Sequence, residues 1–449
     1  MAIGGLSELP PGLSGVTPPS TSLVRDRLRA EVTDAAARVA DLLSTLPAPA
    51  DRNPDQQARA TAAHVRARAA RRELLNAQSS RLYQEVVEQN PQRQSLTELS
   101  YGLADIVPGL TPNRAEMAME RGRRQSAKEG LEIDQGIAYS ALLRSAAGGD
   151  LLRSQRLPTD EARWRLSDFQ RTGAVEMPVV SVRRTAGVAE ITVANQRYLN
   201  AEDEALGQQL EIAVDLALLD PGVRVGMVRG AVMEHPRYAG RRVFSSGINL
   251  TLLCTGQIPF LGFVMQRELG YLSKIQRGLW DPRQRADPGA RGGKPWVAVV
   301  DGFAIGGGLQ LMLTFDYVIS SDTAYFTLPA AREGIVPGAA NLRLGRVLGQ
   351  RLSRQVLLGG RRIAARDPVA ALLCDVVVAE DAVDGAVDQA VRAMDNPAVV
   401  ANRHMITAFE EPEDQFRSYL AEFAEVQVQR LYSHDVLDRL EQEWMQRQR

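Results

Sequence analysis

Three consecutive glycines at 306–308 mark the stretch of this chain whose spacing best suits chemistry. They follow WVAVV at 296–300, where four of five residues are large and apolar, as in a buried strand. Leu309 and Met312 come next at helical spacing, so the glycines are predicted to open a helix. Free backbone N–H groups point outward at a helix N-terminus, with the positive end of the helix dipole behind them. The turn is therefore predicted to bind negative charge.

Other uses of a glycine-rich turn compete with this interpretation. A P-loop needs Lys followed by Ser or Thr after its last glycine, whereas Leu309 and Gln310 stand there. The spacing G-x-G-x-x-G of a dinucleotide-binding loop is also missing, so phosphate binding is not predicted. This stretch alone leaves one alternative open: a tight turn in which the glycines only allow positive φ and close packing.

The glycine turn is the second of three ordered motifs. Residues 242–250 read RVFSSGINL, residues 301–311 read DGFAIGGGLQL, and residues 326–338 read FTLPAAREGIVPG. In order and spacing these motifs resemble those of the crotonase (enoyl-CoA hydratase/isomerase) superfamily, over about residues 178–378. The resemblance implies that the backbone N–H groups of Ile248 and Gly307 hold the thioester oxygen of an acyl-CoA. Fixed amides stabilise an enolate oxygen more than the ground state, and losing one donor costs about 3 kcal/mol of barrier.

Two departures from the family pattern bear on the reaction. The glutamates with which family hydratases add water fall here on Gln310 and Ala330. An amide does not titrate near neutral pH and alanine has no polar atom, so neither can act as general acid or base. Hydratase chemistry is therefore not predicted. Glu333 lies close in sequence, but it needs a different geometry to replace either glutamate.

A closer resemblance covers nearly the whole chain, including its long helical N-terminal extension. In this respect the chain resembles cofactor-independent dioxygenases of the superfamily, which act on an arylacetyl thioester of coenzyme A. The resemblance implies that (3,5-dihydroxyphenyl)acetyl-CoA and O₂ give 3,5-dihydroxyphenylglyoxylate and free coenzyme A, within dihydroxyphenylglycine biosynthesis. Another acyl-CoA isomerase, a thioester hydrolase, and a non-catalytic acyl-CoA-binding scaffold remain alternatives.

The same resemblance implies contacts for individual side chains. The substrate contacts fall on Glu202, His235, Arg267, Gln310 and Ser246, and a coenzyme A contact falls on Arg197. Alternatives stay open for three of them: a structural histidine at 235, a surface pair of Arg267 with Glu268, and an exposed arginine at 197. The base that removes the Cα proton is not identified.

No cofactor is predicted, and O₂ is expected as co-substrate. The histidines show no spacing of two histidines plus a carboxylate, and no flavin fingerprint occurs; they stand at His64, His235, His404 and His434. A carbanion spread over the thioester and an electron-rich ring can itself pass one electron to O₂. A metal is therefore not required by the predicted chemistry.

Composition indicates an ordinary globular protein. The 449 residues include 53 basic and 54 acidic side chains, so global charge favours neither nucleic-acid binding nor attraction to a membrane surface. Cys254 and Cys374 lie far apart and are expected to be free thiols. The sequence shows neither a membrane span nor a signal peptide, and a cytoplasmic location is expected.

These motifs need an α/β core to position them. The prediction is a crotonase-like ββα spiral at residues 176–390, after a mobile tail at 1–20 and an all-helical domain at 21–175. Residues 391–449 are expected to form C-terminal helices that pack on neighbouring subunits in a homo-oligomer, a trimer or hexamer. Within the core, a hairpin is predicted at Ala186-Gly187 and a single helix at 259–279.

Overall fold

The computed structural model describes residues 21–281 and 293–447, so the predicted N-terminal tail lies outside the described residues. The helices, numbered in chain order, are α1 (Thr21–Ser44), α2 (Pro54–Gln89), α3 (Leu96–Ile106), α4 (Arg114–Arg121), α5 (Glu132–Arg144), α6 (Gly148–Gln155), α7 (Asp160–Thr172), α8 (Glu204–Leu219), α9 (Leu250–Cys254), α10 (Gln266–Leu269), α11 (Tyr271–Arg277), α12 (Gly307–Met312), α13 (Ala330–Glu333), α14 (Ala340–Leu357), α15 (Val383–Met394), α16 (Pro397–Glu410), α17 (Glu413–Leu431) and α18 (His434–Arg447).

The strands are β1 (Ala174–Glu176), β2 (Val180–Thr185), β3 (Val188–Val193), β4 (Val225–Gly230), β5 (Trp296–Val300), β6 (Phe303–Ile305), β7 (Tyr317–Ser321), β8 (Tyr325–Thr327), β9 (Ile363–Ala364) and β10 (Val376–Val378). Seven of them form one sheet in the order β1-β2-β3-β4-β5-β7-β10, antiparallel from β1 to β3 and parallel beyond. The order β6-β8-β9 makes a second, smaller sheet. This α/β core, with helices before and after it, confirms the predicted fold class.

Local sequence accounts for the elements next to the site. Ala186 and Gly187 both have positive φ, 49° and 88°, which suits a two-residue hairpin turn between β2 and β3. The predicted hairpin is confirmed. Strand β5 is buried along its whole length and pairs in parallel with β4 and β7, as its continuous apolar run indicates.

The single helix predicted at 259–279 is wrong in extent. The segment 259–279 is a π-helical turn, Phe260–Met265, followed by α10 and α11, with the chain bent at Gly270. A side chain there would lie 2.6 Å from the Gln266 carbonyl and 2.7 Å from a Glu211 carboxylate oxygen, so buried neighbours fix the bend. Helix α12 ends at Met312, because the following β-branched run pairs with β5 as strand β7.

One hydrophobic core joins the N-terminal helices to the C-terminal ones. Helix α17 packs on α5 within the same chain, and buried residues from both ends of the sequence meet the π-helical turn: Leu74, Tyr139, Phe260, Phe416 and Leu420. The domain boundaries drawn from the sequence stay a prediction. No described helix is long and apolar enough to cross a membrane.

Candidate active site

A cavity that is partly open to solvent lies where the three sequence motifs meet. The loop around Ile248, the glycine turn and α10 form three of its sides. The segment 335–338 and the side chains of Phe423 and Gln427 from α17 complete it. The cavity therefore draws on elements that are more than 200 residues apart in sequence.

Backbone pairing holds the two predicted oxyanion loops side by side. Ser245 donates from its N–H to the Phe303 carbonyl at 3.2 Å, and Ile305 N–H donates to the Ser245 carbonyl at 3.0 Å. A methyl group on Gly247, whose φ is +89°, would lie 3.4 Å from the Gly307 nitrogen. The close approach of the two loops at a positive φ therefore requires glycine.

The amides of Ile248 and Gly307 are available for a ligand. Across the described ranges, 21–281 and 293–447, no protein acceptor receives a hydrogen bond from either N–H. Gly307 begins α12, where the helix leaves its first amides without an intrahelical partner. Both groups line the cavity, as an oxyanion hole requires.

Arg267 is the centre of the polar network in the cavity. Its Nε donates to Glu202 Oε2 at 2.5 Å, and its Nη2 donates to the Gly307 carbonyl at 2.6 Å. Its Nη1 donates to Gln310 Oε1 at 2.7 Å and to Glu268 Oε1 at 2.9 Å. Burial acts to lower the pKa of Arg267, but the acidic groups around it, Glu202, Tyr271 and Glu268, together outweigh burial and raise the pKa above its ordinary value. The guanidinium thus stays charged and joins three elements around the oxyanion loops.

The Glu202 side chain is held in place by three hydrogen bonds. Besides Arg267, it accepts from the Tyr271 hydroxyl at 3.0 Å and from Ser245 Oγ at 3.2 Å, and it is 2% exposed. Burial raises the pKa of Tyr271 well above its ordinary value, so this hydroxyl remains a donor. A methyl group on Gly307 would lie 2.7 Å from Glu202 Oε1. Position 307 must therefore be glycine, because the Glu202 carboxylate leaves no room for a side chain there.

Six of the eight predicted site residues line the cavity: Glu202, Ser246, Ile248, Arg267, Gln310 and Gly307. Arg267 is buried, so the alternative of a surface pair with Glu268 is wrong. The six are brought together, but their individual roles stay predictions.

The other two predicted residues lie outside that lining. His235 sits in the loop after β4, where its Nδ1 accepts from the Arg237 N–H at 3.3 Å and its ring lies 5.9 Å from that of Tyr238. Arg197 is exposed, with its guanidinium 5.1 Å from the Tyr198 ring centre. Their assigned contacts remain predictions.

Several lining residues gave no signal in the sequence. Glu268 stands beside Arg267 in the chain, yet only the bend at α10 shows that both side chains turn inward. Phe423 and Gln427 enter from a distant helix, and no local pattern could have assigned them. Glu333, by contrast, was noted from the sequence; it follows Ala330 by three residues on α13, and both line the cavity.

The cavity has an excess of negative charge. Among the described residues that line it, Arg267 is the sole cation, against the carboxylates of Glu202, Glu268 and Glu333. Neither in the cavity nor in the rest of the described ranges is a group of three His, Cys, Asp or Glu side chains arranged to hold a metal ion.

This arrangement agrees with comparisons to known proteins. A family model described as Enoyl-CoA hydratase/isomerase matches residues 183–435, more than half of the chain. The chain belongs to the enoyl-CoA hydratase/isomerase family. Within this family, the chain is 49% identical over 412 residues to (3,5-dihydroxyphenyl)acetyl-CoA 1,2-dioxygenase of Amycolatopsis orientalis, covering 90% of this chain and 93% of the relative.

More distant relatives cover only part of the chain. Carnitinyl-CoA dehydratase of Escherichia coli K12 is 30% identical over 154 residues, which is 33% of this chain and 48% of the dehydratase. The crystal structure of an enoyl-CoA hydratase from Mycobacterium avium subsp. paratuberculosis K-10 is 23% identical, with a TM-score of 0.49 over 60% of this chain and 99% of that one.

Proposed function

We propose that this enoyl-CoA hydratase/isomerase family member is a cofactor-independent dioxygenase of (3,5-dihydroxyphenyl)acetyl-CoA. The products are 3,5-dihydroxyphenylglyoxylate and free coenzyme A. One oxygen atom of O₂ becomes the ketone at Cα and the other enters the carboxylate. Cα is oxidised, both atoms of O₂ are reduced, and coenzyme A leaves as its thiol.

The likeness to the Amycolatopsis orientalis dioxygenase carries this proposal. Its 412 aligned residues extend well before residue 183, where the family model begins, and so include most of the N-terminal helices. Those helices share a core with the π-helical turn and α17, both of which reach the cavity. The likeness therefore extends to the parts of the chain that distinguish this cavity from that of a smaller family member.

The site geometry supports enolate formation as the first step. The amides of Ile248 and Gly307 can receive the thioester oxygen as it gains negative charge. Gln310 cannot serve as an acid or base, and its Oε1 already accepts from Arg267. Ala330 offers no polar atom, so the two positions used for adding water in hydratases are occupied by residues that cannot do so.

The second step uses the electron-rich ring of the substrate. Deprotonated at Cα, the arylacetyl thioester can pass one electron directly to O₂, and no protein-bound redox group is then needed. Apolar residues wall part of the cavity and would keep water from the carbanion, among them Leu250, Phe263, Val264 and Phe423. Independence of metal and flavin is part of the proposal.

Three finer assignments belong to the same proposal. Glu202 and His235 serve the ring hydroxyls, and Arg197 contacts coenzyme A. Arg197→Ala should weaken coenzyme A binding. His235→Gln should raise the KM for the dihydroxylated substrate more than for phenylacetyl-CoA. A cytoplasmic homo-oligomer, trimer or hexamer, is likewise proposed, and analytical ultracentrifugation measures its size.

One experiment separates the candidate functions. Metal-stripped protein is incubated with (3,5-dihydroxyphenyl)acetyl-CoA while O₂ consumption and free thiol are recorded together. Equal release of thiol and uptake of O₂ supports the dioxygenase. Thiol release without O₂ uptake identifies a hydrolase. Absence of both signals contradicts the dioxygenase and the hydrolase alike.

An isomerase is the second candidate, because three carboxylates around one cavity could relocate a proton. An isomerase would give neither signal but would interconvert unsaturated acyl-CoA isomers.

A further inference from the structure

We propose that Glu268 is the base that removes the Cα proton of the bound thioester. The proposal rests on the enolate mechanism above and supplies the residue that mechanism lacks. Glu268 is 1% exposed, lines the cavity, and stands next to Arg267 at the centre of the polar network. Its assignment follows from charge, from its hydrogen bonds and from its position.

The charge of the cavity requires that the proton stay inside. One guanidinium already faces three carboxylates, so forming an enolate there by releasing the proton to solvent would add a further negative charge. Transfer from Cα to a lining carboxylate leaves the total charge unchanged. The C–H bond breaks, its electron pair moves into the thioester enolate, and the proton ends on a carboxylate oxygen.

The hydrogen bonds distinguish Glu268 from Glu202. Glu202 accepts three side-chain bonds, from Arg267 at 2.5 Å, Tyr271 at 3.0 Å and Ser245 at 3.2 Å. Glu268 accepts one side-chain bond, from an Arg267 nitrogen that it shares with Gln310, and a long bond of 3.3 Å from the Ala339 N–H. A proton acceptor needs an oxygen lone pair that no donor occupies, and Glu268 has more such free acceptor positions than Glu202.

Glu268 lies beside Gln310, the position at which the family resemblance implies a hydratase carboxylate. Glu268 Oε1 and Gln310 Oε1 both contact Arg267 Nη1, so the Glu268 carboxylate lies beside the amide that replaces a catalytic glutamate. Gln310 follows Gly307 by three residues on α12, which places it over the oxyanion loop. A base beside Gln310 is therefore near the carbon next to the thioester carbonyl.

The backbone makes room for this carboxylate. Gly338 has φ of +44°, and a side chain on it would overlap Glu268 Oε1. The neighbouring backbone is held from α17, because the Tyr419 hydroxyl donates to the Gly338 carbonyl and Gln427 Oε1 accepts from the Val336 N–H at 2.7 Å. Helix α17 thus fixes the wall against which Glu268 rests.

Proton exchange at Cα tests the assignment without using O₂. The intact protein and the thioester are mixed in D₂O under anaerobic conditions, and the Cα proton signals are followed by NMR against a protein-free sample. Glu268→Gln should slow exchange at least 100-fold, the lower end of what a general base contributes, while thioester binding by calorimetry persists. Glu73→Gln, on an exposed glutamate of α2, is the matched control and should exchange at the wild-type rate.

Two other variants decide the remaining outcomes. Glu268→Asp keeps a carboxylate but places it one methylene group farther from Cα. This variant should retain partial exchange and show a larger kinetic isotope effect with Cα-dideuterated substrate. This variant also serves if Glu268→Gln fails to fold by circular dichroism. Rapid exchange in Glu268→Gln, or loss of exchange in Glu333→Gln alone, would overturn the proposal, as would absence of exchange in the unmodified protein. Exchange without O₂ uptake in the wild type would overturn the dioxygenase function and leave Glu268 as the base.

Discussion

Replacing Gly307 by alanine tests the oxyanion hole most directly. The added methyl would lie 2.7, 2.9 and 3.1 Å from Glu202 Oε1, Cδ and Oε2, closer than carbon atoms approach such groups. The carboxylate cannot swing away, because Arg267, Tyr271 and Ser245 hold it. The start of α12 must shift instead, and the Gly307 N–H then leaves its place opposite Ile248.

The expected loss can be stated in two measures. Removing one oxyanion donor costs about 3 kcal/mol of barrier, or on the order of 10² to 10³ in kcat. Overpacking a buried site costs about 1–3 kcal/mol of folding free energy, which leaves a folded protein at room temperature. Turnover should therefore fall at least 100-fold while circular dichroism and the binding of free coenzyme A change little.

The assay combines an oxygen electrode with thiol titration on the same sample. Gly385→Ala is the matched control, because Gly385 lies on α15 with no atom within 4 Å of an added methyl, and it should behave as wild type. If Gly307→Ala folds normally and turns over within threefold of wild type, the Gly307 amide does not hold the thioester oxygen.

Three further predictions follow from the same structure. Crotonyl-CoA should not be hydrated above background, because Gln310 and Ala330 replace the two carboxylates; a robust rate in a spectrophotometric assay would show that these positions are wrongly assigned. Exhaustive chelation should leave the dioxygenase rate unchanged, whereas loss of activity that one metal restores would refute the cofactor-free mechanism. Burial acts to raise the pKa of Glu129, but the His64 ring 3.6 Å away and the hydrogen-bonded Arg52 guanidinium together outweigh burial and set the pKa at about 2. Since this folded-state pKa lies below the ordinary 4.5, Glu129 stabilises the fold above pH 4.5 and the contribution disappears toward pH 2. Urea midpoints between pH 6 and 3 should fall less steeply for Glu129→Gln than for wild type, and parallel curves would contradict this linkage.

Local sequence determined the parts of the site that depend on backbone conformation. The apolar run of β5 and the glycines after it fixed a buried strand and a helix start, because both patterns act through neighbouring residues. The same reasoning predicted the hairpin at Ala186-Gly187. The ordered motifs, through their resemblance to the family, indicated the family itself and the two amides, Ile248 and Gly307, that the structure brings to one cavity.

Only the tertiary structure decided which charges meet in the cavity. Arg267 and Glu268 lie on a segment that periodicity predicts as one continuous helix, yet the π-helical turn and the bend at Gly270 turn both side chains inward. Phe423 and Gln427 reach the same cavity because α17 packs on α5 across nearly 300 residues of sequence. Such contacts depend on how distant helices pack in a shared core, and no local pattern encodes that packing. The sequence could therefore predict the pair of oxyanion amides but not the carboxylate proposed as the base.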